Sequence, residues 1–255
     1  MRTMTAFLAT LLTAYLAMCL LLYVFQRRLL FFPTAEVDLD GTESRFVDTG
    51  DATIKVWVVN PGHVKALIYF GGNAENVAYD VDEFSARFPG RTLYLVNYRG
   101  YGGSSGTPDE AGLYRDALAL YDRFAPAHDR MAVIGRSIGS AVATELASKR
   151  ATEKLVLITP FDSAVSVAQK LYPLFPMRLI VRDRYDSLAR SEKISVPVLI
   201  IAAGRDEIIP PENTRRLARA FSEEQLRFET LPGTGHNDLH LHPDYDRLLS
   251  NFINR

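Results

Sequence analysis

The chain predicts an α/β architecture, a mostly parallel sheet with helices on both faces and a small cap, preceded by one apolar helix. Three observations carry this. Apolar runs of strand length alternate with longer helical patterns, the signature of strand–helix–strand units. One strand runs straight into a Gly-x-Ser-x-Gly turn and then a helix, at residues 131–148. Finally, 47% of the 255 residues are hydrophobic, enough for one domain whose sheet is covered on both sides.

Taken in order, residues 5–25 contain no charge and would span about 32 Å as a helix, close to the thickness of a bilayer's hydrocarbon. A cleaved signal peptide is the rival reading, but no Ala-x-Ala site ends the run before Gln26-Arg27-Arg28. The chain therefore divides into a membrane anchor, 1–28, and a domain, 29–255. Arg2 and the N-terminal amine balance Arg27 and Arg28, so charge leaves open which side of the membrane the domain occupies. Strands are expected at 54–59, 66–70, 92–97, 131–135, 154–158, 196–203 and 226–231, and helices at 77–88, 110–125, 138–148, 211–221 and 244–254. Within about 160–195 the pattern loosens into Leu171-Tyr172-Pro173-Leu174-Phe175-Pro176-Met177, a cap whose apolar residues suit either an acyl pocket or packing on the domain.

The chemistry centres on Ser137. In a strained strand-to-helix turn the residues two away must be glycine for the backbones to pass, and Gly135 and Gly139 meet that demand. A serine hydroxyl needs a base, and the base an orienting carboxylate. Asp206 follows the apolar run 196–203, and His236 follows 226–231 in a glycine-rich loop. They are the candidate acid and base, with Glu207, Asp162 and Asp238 as fallback acids. An oxyanion hole requires two N–H donors. Ile138 supplies one, as the first residue of a helix, and Asn73, in the loop after 66–70, supplies the other. His236, His240 and His242 with Asp238 lack the spacing and the partners of a zinc site, so no metal or cofactor is called for. A net charge of -1 provides no field for nucleic acid. The lone Cys19 lies in the anchor, so an intrachain disulfide is impossible.

Phe70-Gly71-Gly72-Asn73-Ala74-Glu75-Asn76, residues 97–106 (NYRGYGGSSG), Gly135-Arg136-Ser137-Ile138-Gly139 and residues 204–210 (GRDEIIP) together resemble the membrane-anchored alpha/beta hydrolase-domain proteins, a group that includes the protein depalmitoylases and their fungal and bacterial relatives. The likeness runs from about Leu29 to the C-terminus. It implies the alpha/beta hydrolase fold and a serine hydrolase with Ser137, Asp206 and His236 as triad and Asn73 and Ile138 as oxyanion donors. The oxyanion loop departs from the group's usual His-Gly-Asn-Ala-Gly-Asn at Gly71 and Glu75, and Glu75 is expected to repel an anionic substrate. The segment 98–106 reads as a structural turn in which Arg99 pins neighbouring carbonyls. The function expected is a membrane-tethered hydrolase of esters or thioesters with a small-molecule or acyl substrate. The alternatives are a peptidase or amidase using the same triad, and a non-catalytic scaffold. Because every candidate lies beyond Gly71, anchor and catalyst are expected to be separable.

Overall fold

A computed structural model describes residues 2–254. Arg2–Leu30 is a single helix, α1, with no buried residue and an apolar composition sufficient to cross a membrane. After it, eight strands form one sheet: β1 (Glu43–Asp48), β2 (Thr53–Val59), β3 (Lys65–Phe70), β4 (Thr92–Val96), β5 (Arg130–Arg136), β6 (Leu155–Ile158), β7 (Val198–Ala203) and β8 (Leu226–Leu231). Their spatial order is β1-β2-β4-β3-β5-β6-β7-β8. β2 pairs antiparallel with both β1 and β4, and the remaining pairs are parallel. Between its two edge strands the sheet is mostly apolar and buried on both faces, and two separate core clusters form, one per face.

The helices are α2 (Val81–Arg87), α3 (Glu110–Phe124), α4 (Ile138–Lys149), α5 (Ala164–Leu171), α6 (Met177–Ile180), α7 (Leu188–Ser191), α8 (Pro211–Ala218) and α9 (Tyr245–Asn254). The helix expected over 77–88 begins as a tight 3-10 turn, Val77–Asp80, which the Asn76 side chain caps by accepting from Ala78 N–H. β1 was not expected. It is an edge strand, charged and only partly covered, so it lacks the apolar run that marks the others. The cap is more ordered than its sequence suggests, comprising α5, α6 and α7.

The strand order places the site. From β3 the chain moves outward to β4, and from β5 it moves the other way, so β3 and β5 flank the point where the order reverses. Ligands of open α/β sheets bind beyond the carboxyl ends of strands at such a point. Here Phe70 of β3 is in register with Gly135 of β5. The two loops that follow are thereby brought side by side.

Candidate active site

Ser137 sits between β5 and α4 with φ 52 and ψ -117, a conformation side chains rarely adopt. Its N–H donates to the Ile158 carbonyl at 2.8 Å, which fixes the turn against β6. The flanking glycines are required by contact. A Cβ on Gly135 would lie 2.2 Å from the Gly139 carbonyl oxygen, and one on Gly139 would lie 2.1 Å from that of Phe70. The turn thus closes directly onto the end of β3.

His236 Nε2 lies 2.9 Å from Ser137 Oγ, and Nδ1 lies 2.9 and 3.0 Å from the two Asp206 oxygens. Nδ1 facing a carboxylate carries the proton and Nε2 is left to accept. Both His236 and Asp206 side chains are almost wholly buried. Asp206 is held in turn, because Oδ1 accepts from the N–H groups of Ile208 and Ile209 at 3.0 and 2.7 Å.

The fallback acids are engaged elsewhere. Glu207 accepts from the His236 backbone N–H at 3.1 Å, and Asp238 from Gly235 N–H at 2.6 Å, so both shape the histidine loop. Asp162 accepts from Asn213 Nδ2 at 2.7 Å and from Ser163 N–H at 2.8 Å, and pairs with Arg216 at 3.1 Å. His240 and His242 lie on and just after the turn Leu239–Leu241, where His242 Nδ1 accepts from Asp244 N–H.

Asn73 is tied down by its side chain. Nδ2 donates to the Leu30 carbonyl, and Oδ1 accepts from Tyr101 Oη at 2.9 Å and from Phe32 N–H at 3.2 Å. Tyr98 Oη donates to the Gly71 carbonyl at 2.7 Å. The turn 98–106 is therefore a brace under the loop 71–76. Arg99 does not pin carbonyls; it is buried and bonds the carboxylates of Asp116 and Asp51.

The expectation for Glu75 needs correction. Its carboxylate is turned inward, accepting from Gly72 N–H at 2.7 Å and from Tyr69 Oη, and it pairs with Arg136 Nη1. The charge is matched rather than presented to a substrate. Burial works against the Arg136 charge, yet Glu75, with Tyr69 and Tyr245 beside it, more than offsets burial and holds the guanidinium above its ordinary range. Arg136 Nη2 reaches the Asn237 side-chain oxygen at 3.1 Å and the His236 carbonyl at 3.4 Å. One arginine thus clamps the loop 71–76 to the histidine loop. Sequence reading missed it, although its position beside Ser137 was a signal. Behind this clamp, burial and the neighbouring Glu75 push Asp80 up to about 8.

Ser137, His236 and Asn73 open onto a cavity of about 520 Å³. The cap contributes Val167, Leu171, Met177 and Ile180 to it, and α1 contributes Leu22, Gln26, Leu29 and Leu30. The helix expected to be only a tether is therefore part of the wall. Phe31 is buried in the core, so the segment after α1 packs on the domain.

Residues 62–192 match the model described as the alpha/beta hydrolase family. Among similar proteins, the uncharacterized protein Rv2307c of Mycobacterium tuberculosis is 36% identical, covering 84% of this chain and 81% of its own. Alpha/beta hydrolase domain-containing protein 17B of Homo sapiens is 30% identical, covering 77% and 68%. The esterase Pf2001 of Pyrococcus furiosus superposes with a TM-score of 0.71 at 18% identity, over 88% of this chain and 98% of that one.

Proposed function

The chain belongs to the alpha/beta hydrolase family, and from that premise we propose that it is a membrane-tethered serine hydrolase, cleaving an ester or thioester through an acyl-enzyme on Ser137. One observation carries the reading: the unbroken row Asp206–His236–Ser137, hydrogen-bonded throughout and opening onto an apolar cavity.

In the first half-reaction His236 Nε2 takes the Oγ proton as Oγ bonds to the substrate carbonyl carbon, and Asp206 steadies the imidazolium through Nδ1–H. Negative charge then collects on the former carbonyl oxygen. The Ile138 N–H, among the first amides of α4 and without an intrahelical acceptor, donates to it. Both polar ends of the Asn73 side chain are committed to α1 and Tyr101, which leaves its backbone N–H as the second donor. His236 returns the proton to the departing alcohol or thiol. Water, deprotonated by the same nitrogen, then attacks the acyl-enzyme and regenerates Ser137.

The apolar lining favours a hydrophobic acyl group over a peptide, whose amides would lose their hydrogen bonds there. The charge-free length of α1, exposed along most of its surface, supports the tether. The test is labelling of the full-length protein by a fluorophosphonate probe, followed by rates on p-nitrophenyl esters of graded chain length. Labelling lost in Ser137→Ala, with rates rising toward longer chains, is the expected outcome. A wild type that neither labels nor hydrolyses any ester would move the chain to the scaffold reading.

A further inference from the structure

One face of α1 carries Tyr15, Cys19, Leu22, Gln26 and Leu30, three to four residues apart and so aligned in one stripe. The stripe meets the cap. Tyr15 Oη donates to the Leu174 carbonyl at 3.0 Å, and its ring stacks on Phe175 with centroids 5.7 Å apart. Eleven residues on, Gln26 Nε2 donates to the Ile180 carbonyl at 2.9 Å while its Oε1 accepts from Arg182 N–H at 2.7 Å. Arg27 closes the row on Asp183, at 2.8 and 3.0 Å. At 1.5 Å per residue the cap lies along α1 for about 16 Å, roughly half the hydrocarbon thickness of a bilayer.

If α1 spans a membrane, whatever lies beside Tyr15 lies inside it. The tip of the cap, residues 172–176, suits that environment. Leu174 is 81% exposed and nearby Leu179 79%. Pro173 and Pro176 carry no N–H to satisfy, Tyr172 and Phe175 N–H donate to the Ala168 and Tyr172 carbonyls, and among the described residues of the tip only the Leu174 N–H lacks an internal acceptor. Every carbonyl from Tyr172 to Pro176 has a donor: Phe175 N–H for Tyr172, Gln169 Nε2 for Pro173 and Phe175, Tyr15 Oη for Leu174, and the Leu179 and Ile180 N–H groups for Pro176. Water would serve the carbonyls of an ordinary surface loop. Hydrocarbon cannot, so backbone at membrane depth has to be satisfied internally. The flanking charges, Lys170 and Arg178, lie in a polar groove with Arg184 and Arg216, where long side chains can carry their charge back toward headgroups.

We propose that the tip 172–176 is sunk in the same leaflet as the second half of α1, and that the crevice between them admits a membrane-resident acyl chain sideways to Ser137. The inference rests on the hydrolase reading and names its substrate class: an ester or thioester whose long acyl chain lies in the leaflet. The crevice is the outer part of the cavity, where Leu22, Leu29 and Leu30 of α1 meet Val167, Leu171 and Ile180 of the cap. Its inner end is held at the level of Leu30 by Asn73, just past the point where Arg27 and Arg28 end the charge-free run. A chain lying along α1 would carry its carbonyl to headgroup depth, where Ser137 waits. Short water-soluble esters need no such route.

The test uses the full-length protein in phosphatidylcholine vesicles. With Cys19 replaced by serine, a bimane fluorophore on Leu174→Cys reads depth: quenching by lipids brominated in mid-chain and protection from aqueous iodide are expected, and the reverse pattern overturns the immersion. In parallel, Leu174→Asp and Leu179→Asp are compared with the wild type on p-nitrophenyl acetate in water and p-nitrophenyl palmitate held in the vesicles. A carboxylate in hydrocarbon should lower the palmitate rate at least about ten-fold and leave the acetate rate nearly unchanged. Unchanged palmitate rates in both variants overturn the lateral route. The acetate rate reports fold and triad independently, and a wild type that cleaves neither ester overturns the hydrolase reading while the fluorophore still decides the immersion.

Discussion

The ends of β6 and β7 look alike and do different things. Each is a buried strand, and each is followed within a few residues by an aspartate that is almost fully enclosed, Asp162 after β6 and Asp206 after β7. Asp206 meets the His236 ring, while Asp162 holds Asn213, Ser163 and Arg216 and so joins the start of the cap to α8. The difference teaches that a carboxylate at the mouth of an α/β sheet takes its role from what the following loop packs against. The β7 exit packs on the histidine loop; the β6 exit leads into the cap.

Substitutions break or sharpen that contrast. The largest effect should come from Ser137→Ala, which removes the group both carboxylates would compete to serve; kcat should fall by roughly 10⁴- to 10⁶-fold with the melting temperature little changed, measured on p-nitrophenyl acetate and by thermal unfolding. Asp206→Asn should follow at roughly 10³ to 10⁴, because the amide favours the wrong histidine tautomer. Asp162→Asn should do the opposite, lowering the melting temperature and sparing kcat, and the reverse ranking would reassign the acid.

A smaller loss is expected where the two mouths are bridged. Arg136→Met removes the clamp between Glu75 and the histidine loop, and a displacement of even an ångström at the site can cost up to about 10²-fold in kcat. Glu75→Gln in the same background should add little, since the pair acts as one unit. The least effect belongs to Asp80, buried behind the clamp. Burial and Glu75 raise its pKa from 3.8 to about 8, so the folded state keeps a proton that the unfolded chain loses, and stability drains away as pH climbs from about 4 to 8. Asp80→Asn should therefore melt close to the wild type at pH 4 and above it at pH 8. Equal melting at both would place the proton elsewhere.

The sheet and the meeting of Asp206, His236 and Ser137 were legible because their signals are local. Gly135-Arg136-Ser137-Ile138-Gly139 announces its own turn, Asp206 follows an apolar run that can only be a buried strand, and His236 follows a strand-like run into a glycine-rich loop, although that run, β8, is a mostly exposed edge strand. The rest was hidden by distance or by brevity. Arg136 finds Glu75 and Asn237 from far-off segments, and nothing in a single window pairs Tyr15 with Leu174 or Gln26 with Ile180. α6 and α7 have four residues each, too few to show a helical period. β1 is charged and half exposed, so it resembles a loop. The stripe on α1 escaped notice for another reason: in a helix that is apolar all round, the side facing a partner does not differ in hydropathy from the opposite side.

The central claim is that Ser137 Oγ bonds to the acyl carbon. It is tested most directly by trapping: the full-length protein is mixed with a p-nitrophenyl ester, quenched in acid within the first turnover, digested and weighed by mass spectrometry. The account predicts the acyl mass on the peptide bearing Ser137, localised to that serine and lost in Ser137→Ala. Acylation at Ser140 instead, or p-nitrophenol release with no acylated peptide at any quench time, would contradict it.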